Sequence, residues 1–373
     1  MRVVVTGQVG MDKKEFLQAV GAAAEARGHA VRLFNSGDMM YREAPDVAKG
    51  RILDIPLSRL NALRRSVFKD VLAQSGSADN VIVNTHATFR WRHGLFYAFD
   101  CDLMKQFNAD LHVALVDNID RVHARLLRDG HTDHTLKDLM VWREEEVLAT
   151  ELLGEIVRGH GGFYIFARGT DSDNPDMLAE LIFNPALRKT YLSFPMSNIS
   201  DPATLAVIGR FRSEMKRLFI CFDPGDLEEK HLAPQAMAAA EAGKRFVSVN
   251  PDGKDIQIET AEVLGILPDI DGQIYARDFK LIDQSDMIVS LIPELPPDGS
   301  GQRRPAISSG VERELQHAHE AAKEVFVIWT PEMAPSPFIT ETATRMFRSP
   351  DEAVRFFVDN DYVPHDVPGG LFQ

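Results

Sequence analysis

Short apolar runs that alternate with longer amphipathic segments are the feature that most constrains the fold of this chain. In the N-terminal half, helical patterns over residues 12–27, 57–74 and 136–157 lie among apolar runs typical of strands, which cover residues 3–6, 30–34, 81–84, 111–116 and 163–167. Strands that are separated by helices predict a parallel, doubly wound sheet, whose ligands gather at the carboxyl ends of the strands.

The same alternation resumes near residue 190 and continues towards the C-terminus. Helices are expected over residues 202–218 and 233–242 and around Asp278 and Glu314, and strands are expected from Tyr191 and over residues 219–222, 246–249, 287–292 and 325–329. Residues 168–189, between the two halves, are rich in polar turn formers, which favours a domain boundary there.

We therefore predict an α/β protein with two domains, each a mainly parallel, doubly wound sheet flanked by helices. The predicted boundaries are residues 1–170 for the first domain, 171–188 for a linker and 189–373 for the second domain. A chain of 373 residues is long enough for two separate cores. Residues 293–305 are rich in Pro, Gly, Asp and Arg and are predicted to form a mobile loop over a pocket.

Composition and charge exclude several classes of protein. A formal net charge of −14 repels nucleic acid and anionic membranes, so any phosphate site has to be a local basic pocket. Cys101 and Cys221 form no disulfide or zinc pattern, and His86, His131 and His134 lack the neighbours that a metal site needs. No metal site is therefore expected. Because no leader-like segment and no apolar run of about 18 residues is found, we expect a cytoplasmic protein.

The first predicted strand is followed by a glycine-containing loop, residues 7–14 (GQVGMDKK). In a phosphate-binding P-loop, GxxxxGK[ST], backbone amides and the lysine hold phosphate, and the hydroxyl residue ligates magnesium. Gly7 and Lys13 match this pattern and Gly10 lies within it, whereas Asp12 replaces the second glycine and Lys14 replaces the hydroxyl residue. We expect a nucleotide such as ATP to bind here, at a loop that does not favour magnesium.

Further motifs lie in the first 170 residues, at positions 34–40 (FNSGDMM), 63–65 (LRR), 83–88 (VNTHAT) and 121–128 (RVHARLLR). Together with the loop, they resemble the archaeal type of adenylate kinase. The resemblance implies that Asp38 and Arg64 line a monophosphate site and that Arg125 and Arg128 are lid arginines that contact transferring phosphates. Asn84 stands where the family has an aspartate before Thr-His, so Lys14 and Asn84 occupy the two positions that would support magnesium. Because phosphoryl transfer depends on magnesium, we expect nucleotide binding or a structural role rather than fast kinase turnover.

Two acids of the second half are expected to share one pocket. Asp278 lies on the helix that enters the strand over residues 287–292, and Glu314 lies in the first turn of the next helix, after Gly310. Two carboxyl groups in one cleft suit acid and nucleophile roles at a glycosidic carbon, because a carboxylate stabilises or captures the sugar cation of the transition state. Glu312 is excluded, since two positions earlier on a helix it points about 200° away.

The motifs around these acids are residues 191–195 (YLSFP), 277–282 (RDFKLI), 285–290 (SDMIVS) and 310–318 (GVERELQHA). Over roughly residues 187–335 they resemble the nucleoside 2-deoxyribosyltransferase superfamily, which includes nucleotide N-glycosidases. The resemblance implies that Glu314 is the nucleophile, that Asp278 is the acid or base, and that Tyr191 orients the nucleophile. It also implies that Ser308, six residues before the glutamate, binds a 5′-phosphate with the neighbouring amides of Ser309 and Gly310.

Each of these assignments has a plainer structural alternative. Glu314 matches a solvated helix residue, and Asp278 matches an acid at a helix N-terminus that the helix dipole favours. Tyr191 at a strand start is typical of a core residue. Ser308 and Ser309 are typical helix caps, although a cap and a phosphate site use the same exposed amides. Residues 142–146 (WREEE) are predicted to form a helix face with intrahelical ion pairs.

The sequence thus predicts an enzyme that hydrolyses or transfers the N-glycosidic bond of a nucleoside 5′-monophosphate or a related nucleotide. No cofactor is required for that step, and the kinase-like domain is expected to bind nucleotide without turnover. Two alternatives stay open: an active nucleoside monophosphate kinase with an accessory domain, and a non-catalytic nucleotide sensor. The expected partners are a small-molecule nucleotide and other copies of the same chain in a homo-oligomer, but neither nucleic acid nor a membrane.

Overall fold

The fold is that of a computed structural model of the chain, which describes residues 1–91, 94–170, 172–196, 199–297 and 301–364. The elements of the first half, in chain order, are β1 (Arg2–Thr6), α1 (Lys13–Ala26), β2 (Arg32–Asn35), α2 (Ser36–Glu43), α3 (Leu57–Ser75), β3 (Val81–Asn84), β4 (Thr88–Trp91), β5 (Gly94–Tyr97), α4 (Cys101–Phe107), β6 (Leu111–Val116), α5 (Ile119–Arg128), α6 (Leu136–Arg158), β7 (Phe163–Ala167) and α7 (Asn174–Phe183).

The second half continues with a similar alternation. Its elements are β8 (Lys189–Ser193), α8 (Pro202–Leu218), β9 (Ile220–Phe222), α9 (Leu232–Glu241), β10 (Phe246–Val249), β11 (Ile256–Glu259), α10 (Thr260–Asp283), β12 (Met287–Ile292), β13 (Glu294–Leu295), β14 (Arg304–Pro305), α11 (Ser309–Glu320), β15 (Glu324–Trp329), α12 (Pro337–Thr340), β16 (Arg345–Phe347) and α13 (Pro350–Asp359).

The described chain divides into two compact units. The first unit is Met1–Phe183 with Asp226–Gly272, and the second unit is Asn184–Gly225 with the described residues from Gln273 onwards. This division differs from the predicted boundaries, because Asp226–Gly272 groups with the first unit and not with the residues around it in sequence. The functional boundaries at residues 1–170, 171–188 and 189–373 stay a prediction.

The first unit is built on a parallel sheet with the strand order β2-β3-β1-β6-β7. Its central strand β1 carries Val3, Val4 and Val5, which are fully buried, as expected for a strand that is covered on both faces. Helix α6 begins with a capping box, in which Thr135 and Asp138 satisfy backbone groups of the first turn. Because β1 runs parallel to its neighbours, the loop that follows it lies at the carboxyl edge of the sheet, where ligands bind in this class of fold.

The second unit has its own parallel sheet, with the strand order β16-β15-β12-β8-β9. Its core contains Phe211 of α8, Phe326 of β15 and Phe357 of α13, each at most 1% exposed. The second strand in sequence, β9, lies beside β8 on one side, and the third, β12, lies on the other side. This order places a topological switch point between β8 and β12, which is where doubly wound sheets bind ligands.

The α/β fold class and the two parallel sheets predicted from the sequence are confirmed. The strands expected over residues 81–84, 111–116, 163–167 and 287–292 have these bounds in the structure. Residues 246–249 were predicted as a strand of the second domain. They do form a strand, but it pairs antiparallel with β11 and is not part of the second sheet. The hairpin of β4 and β5 was not predicted.

Two smaller observations complete the comparison. In the predicted loop over residues 293–305, β13 pairs with β14, and residues 298–300 lie outside the described part of the chain. Among the described residues, no helix combines the length and the apolar character that crossing a membrane would require.

Candidate functional site

The loop between β1 and α1 has the backbone of a phosphate-binding loop. Gly7 and Gly10 have φ angles of +147° and +84°, and a Cβ atom on Gly7 would lie 2.7 Å from the carbonyl oxygen of Leu115. Only glycine fits at such a position. Asp12 has a φ of +48°, so it adopts the left-handed conformation at the place where the P-loop pattern has its second glycine. The loop is therefore shaped as in a P-loop despite the substitution.

Lys13 lies in this loop with 7% of its surface exposed. Its ammonium group donates to the carbonyl oxygens of Gly7 and Gln8, and the Nδ1 atom of His86 is 3.4 Å away. Burial lowers the pKa of Lys13 to about 8, against the opposing charge of Glu146. Burial and the neighbouring Lys13 charge also hold the pKa of His86 well below its usual value, so this imidazole is neutral at pH 7.

Glu146 of α6 holds the first residue of the loop through hydrogen bonds. Its carboxylate accepts hydrogen bonds from the backbone N–H groups of Gly7 at 3.1 Å, Ala87 at 2.8 Å and Thr88 at 2.9 Å, and from the Thr88 hydroxyl at 2.6 Å. The side chain is 2% exposed. The prediction of intrahelical ion pairs over residues 142–146 was therefore wrong for Glu146, because its donors come from segments distant in sequence.

The two positions that would support magnesium do not fit the metal. Lys14 forms an ion pair with Asp38 at 2.7 Å, and its ammonium brings a positive charge where a P-loop has a hydroxyl ligand. Asn84 stands at the position of the family's aspartate, and its Nδ2 atom donates to the Oδ1 atom of Asn35 at 2.9 Å. Within the described ranges, no group of three or more His, Cys, Asp or Glu residues could hold a metal ion. An ammonium group cannot ligate Mg²⁺, and Asn84 lacks the negative charge of the carboxylate that the family has at its position.

The two predicted lid arginines of α5 both reach the loop. The Arg128 guanidinium donates to both carboxylate oxygens of Asp12, at 3.0 and 2.8 Å, and the Nε atom of Arg125 lies 3.6 Å from the same carboxylate. Arg125 is also paired with the buried Asp117 at 2.7 Å. The structure thus brings Gly7, Gly10, Lys13, Arg125 and Arg128 together around one loop.

Two cavities open beside this loop within the first unit. One of about 230 Å³ is lined by loop residues together with Asp38, Asn84 and His86, and one of about 600 Å³ is lined by Lys14, Asp38, Arg42 and Lys49 with apolar residues of β2 and α2. Asp38 lines both cavities. Arg64, which was predicted to lie in the monophosphate site, donates to the carbonyl oxygen of Tyr97 and lines neither of the two.

In the second unit, Glu314 is held by two hydroxyl groups of β8. Tyr191 donates to its Oε1 atom at 3.2 Å, and Ser193 donates to its Oε2 atom at 2.6 Å. Ser290 of β12 in turn donates to the Ser193 hydroxyl at 3.3 Å. Glu314 lies in the second turn of α11 rather than the first, and Glu312 is exposed. The predicted partners Tyr191 and Glu314 are therefore in contact, and Ser193 and Ser290 are members that the sequence did not reveal.

Asp278 lies in the same charged environment. It is 7% exposed, and the Nε atom of Arg277 is 3.7 Å from its Oδ1 atom. Burial raises the pKa of Tyr191 well above its usual value, the negative charges of Glu314 and Asp278 raise it further, and Arg277 opposes them. Both acids therefore act electrostatically on Tyr191, and of the two Glu314 is in hydrogen-bond contact with it.

The N-terminus of α11 carries the residues predicted to hold phosphate. Ser308 is the N-cap residue, and its hydroxyl accepts a hydrogen bond from the Val311 N–H at 3.3 Å. Ser309 and Gly310 follow in the first turn. Six residues separate Ser308 from Glu314, which corresponds to about 9 Å along a helix. The cap is thus observed, and the phosphate role of Ser308, Ser309 and Gly310 stays a prediction.

Comparisons with known proteins concern the N-terminal half. The family model described as "AAA domain" matches residues 6–143. Adenylate kinase of Pyrococcus furiosus is 24% identical over 139 residues, which cover 36% of this chain and 69% of the relative, and adenylate kinase of Pyrococcus abyssi is 23% identical over the same shares. The N-terminal half is therefore a kinase-like P-loop domain.

Solved structures similar to this chain include two small-molecule kinases. Shikimate kinase from Acinetobacter baumannii in complex with shikimate is 15% identical, with a TM-score of 0.32, over 48% of this chain and 89% of that protein. A gluconokinase from Sinorhizobium meliloti 1021 is 16% identical, with a TM-score of 0.29, over 49% of this chain and 95% of that protein.

Proposed function

We propose that the second unit cleaves the N-glycosidic bond of a nucleoside 5′-monophosphate or a related nucleotide, with Glu314 as the nucleophile. The observation that carries this proposal is the pair of hydroxyl groups, from Tyr191 and Ser193, that donate to the two oxygens of the Glu314 carboxylate. Hydrogen bonds to a carboxylate favour its ionised form and restrict its orientation, and both effects suit attack on an anomeric carbon.

The chemistry needs two displacement steps. In the first, a Glu314 oxygen attacks the anomeric carbon, the bond to the base breaks, and the base leaves with the bonding electrons and a proton from Asp278. In the second, water or an incoming base gives its proton to Asp278 and attacks the same carbon, and the ester bond to Glu314 breaks. The amides at the start of α11, with Ser308, would hold the phosphate, since a helix N-terminus favours an anion.

The test is release of free base from a panel of nucleoside monophosphates, followed by chromatography. We expect Glu314→Gln to lower the rate by more than about a thousandfold, because the nucleophile is removed. The matched control is Glu312→Gln, since Glu312 is an exposed acid two positions earlier on the same helix. Undiminished release by Glu314→Gln would remove the basis of the proposal. Release should continue in EDTA, because no step uses a metal or another cofactor.

A second function is proposed for the first unit: it binds a nucleotide and transfers phosphate slowly or not at all. The observation that favours this function is the replacement of both magnesium-supporting positions, by Lys14 paired with Asp38 and by Asn84 paired with Asn35. The first unit would then act as a nucleotide sensor beside the glycosidase of the second unit.

The rival function is an active nucleoside monophosphate kinase. It requires magnesium-dependent consumption of ATP with a monophosphate acceptor, and this consumption should disappear in Lys13→Ala but not in Lys69→Ala, a change at an exposed lysine of α3. The same chromatography separates the outcomes, because a glycosidase yields free base and a kinase changes the number of phosphates. Nucleotide binding by calorimetry without either product would favour a sensor alone.

A further inference from the structure

Lys14 carries a charge at a position where a P-loop normally carries none. It is the second residue of α1 and directly follows the buried Lys13. Its side chain lines the same 230 Å³ cavity as Lys13, Asn84 and His86. A polyphosphate that binds the loop amides would therefore lie against two ammonium groups instead of one.

The Lys14 ammonium group can exchange its ion pair with Asp38 for one with a phosphate oxygen. Asp38 pairs with it at 2.7 Å, but the two side chains are 45% and 52% exposed. An ion pair with that much exposure is held weakly, whereas a phosphate oxygen that also accepts from the loop amides makes stronger, charge-assisted bonds. Lys14 can thus turn from Asp38 to a bound phosphate at little cost.

Magnesium has no comparable place in this loop. The ion is bound through oxygen ligands and carries two positive charges, whereas the Lys14 ammonium group offers no oxygen and repels a cation. Asn84 has an amide where the family has a negatively charged aspartate, which weakens the site further. In a P-loop with a hydroxyl residue, magnesium neutralises the β- and γ-phosphate oxygens. Here Lys14 occupies the sequence position of that hydroxyl residue, and its ammonium group is paired with Asp38 at the edge of the same cavity.

We propose that the first unit binds the polyphosphate of a nucleotide in its metal-free form, with the Lys14 ammonium group in the neutralising role that magnesium has in other P-loops. The proposal rests on the nucleotide-binding assignment of the first unit and is independent of glycosidic cleavage by the second unit. The ligand class is a nucleoside di- or triphosphate without a divalent ion, and Lys13 and Lys14 each contact a phosphate oxygen.

The experiment is calorimetric titration of the full chain with ATP, once in EDTA and once in excess magnesium chloride. For the unaltered chain, we expect ATP to bind in EDTA at least as tightly as in magnesium. Lys14→Met should weaken binding in EDTA by about tenfold, because one charge-assisted contact is lost. Lys69→Met is the matched control, since this lysine of α3 lines neither cavity, and it should leave both affinities unchanged.

A second variant tests whether magnesium binding returns when its ligands are restored. The double change Lys14→Thr and Asn84→Asp restores the hydroxyl and carboxylate ligands, so its ATP affinity should become about tenfold or more higher in magnesium than in EDTA. Circular dichroism would confirm that the variant is folded.

The outcomes distinguish two kinds of failure. Tighter binding of ATP by the unaltered chain in magnesium than in EDTA would overturn metal-free binding while leaving nucleotide binding intact. No binding in either buffer would overturn both. Equal affinities of Lys14→Met and the unaltered chain in EDTA would exclude Lys14 as the neutralising group.

Discussion

At the scale of single residues, the proposed nucleotide binding is expected to depend on pH through Lys13. Its pKa is lowered to about 8 by burial in the free protein, and a bound polyphosphate favours the charged form. Between pH 7 and 9 the free protein loses this proton, so ATP binding in that range has to take up a proton again. We expect the ATP affinity to fall as the pH rises through 8.

Calorimetry at pH 7 and pH 9, in pairs of buffers with different ionisation enthalpies, measures both the affinity and the proton uptake. The expected loss is about tenfold between these two pH values, because one pKa unit above the midpoint leaves about a tenth of the lysine charged. Equal affinities without proton uptake would show that Lys13 does not contact the phosphate.

Ser193 is the residue of the second site whose role is easiest to isolate. Its hydroxyl donates to Glu314 at 2.6 Å and receives a hydrogen bond from Ser290. We expect Ser193→Ala to lower kcat for base release by about tenfold with little change in KM, because it removes an orienting bond and not a substrate contact.

The pH profile separates this positioning role from a merely structural one. Loss of a donor makes the charged carboxylate less favourable, so the acidic limb of the kcat profile should move to higher pH in Ser193→Ala. Ser193→Thr, which keeps the hydroxyl, should restore the limb. An unshifted limb in Ser193→Ala would show that the hydroxyl does not act on Glu314.

Residues of this kind mark the limit of prediction from sequence. The pair Tyr191 and Glu314 was predicted because both lie in motifs with a family resemblance. Ser193, Ser290 and Glu146 were missed as site residues although they lie in segments that the sequence singles out, since the sequence does not show which side chain of a segment faces a site. The hydrogen bond from Ser193 to Glu314 joins residues 121 positions apart, and only the pairing of β8 with β12 and the docking of α11 bring such residues together.

At the scale of elements, buried strands were the most predictable feature. The runs that became β3, β6 and β12 are short and mostly apolar, which is typical of parallel strands covered on both faces. β10 was also predicted as a strand, but its burial alternates between exposed and buried residues, which is typical of a strand covered on one face only. β10 pairs antiparallel with β11, the next strand in sequence, and its own composition does not determine this partner.

A buried ion pair contributes to the docking of segment Asp226–Gly272 within the first unit. Glu229 is fully buried and accepts hydrogen bonds from Arg143 at 2.6 and 3.2 Å and from the N–H group of Ile119 at 2.8 Å. Glu229→Gln should lower the free energy of unfolding by about 3–5 kcal/mol, because it leaves the Arg143 charge buried without its counter-charge.

The measurement is urea-induced unfolding, followed through the transition that ATP shifts to higher urea and that therefore belongs to the first unit. The double change Arg143→Met and Glu229→Leu removes both charges and should restore most of the loss, since well-packed apolar residues often replace a buried ion pair without cost. If the double variant lost as much stability as the sum of the two single changes, the pair would not be coupled.

At the scale of the whole molecule, the two units are each discontinuous in sequence. The first unit takes in Asp226–Gly272, and α10 contains residues of both units, since the division falls between Gly272 and Gln273. The turn-rich composition near residue 171 predicts a single boundary between two continuous domains. Composition does not show that Asp226–Gly272 packs with residues that lie much earlier in the sequence. This is why the two sheets were predictable and the division of the chain between them was not.

The division predicts how the chain tolerates truncation. A fragment of residues 1–188 keeps the whole first sheet but lacks Glu229, and it also lacks the buried side chains Leu232, Val247, Ile258 and Val263. The loss of the ion-pair partner alone costs about 3–5 kcal/mol, which is much of the 5–15 kcal/mol that stabilises a typical domain. We expect this fragment to aggregate or to melt without a cooperative transition.

The matched control joins residues 1–183 to residues 226–272 through a flexible linker of about 20 Gly and Ser residues, which spans roughly 25 Å on average. This chain contains the complete first unit, so it should melt cooperatively in circular dichroism and bind ATP as tightly as the full chain. Equal melting temperatures for the two fragments would show that Asp226–Gly272 adds no stability to the first unit. In that case residues 1–170 would form an independent domain, as the sequence alone predicts.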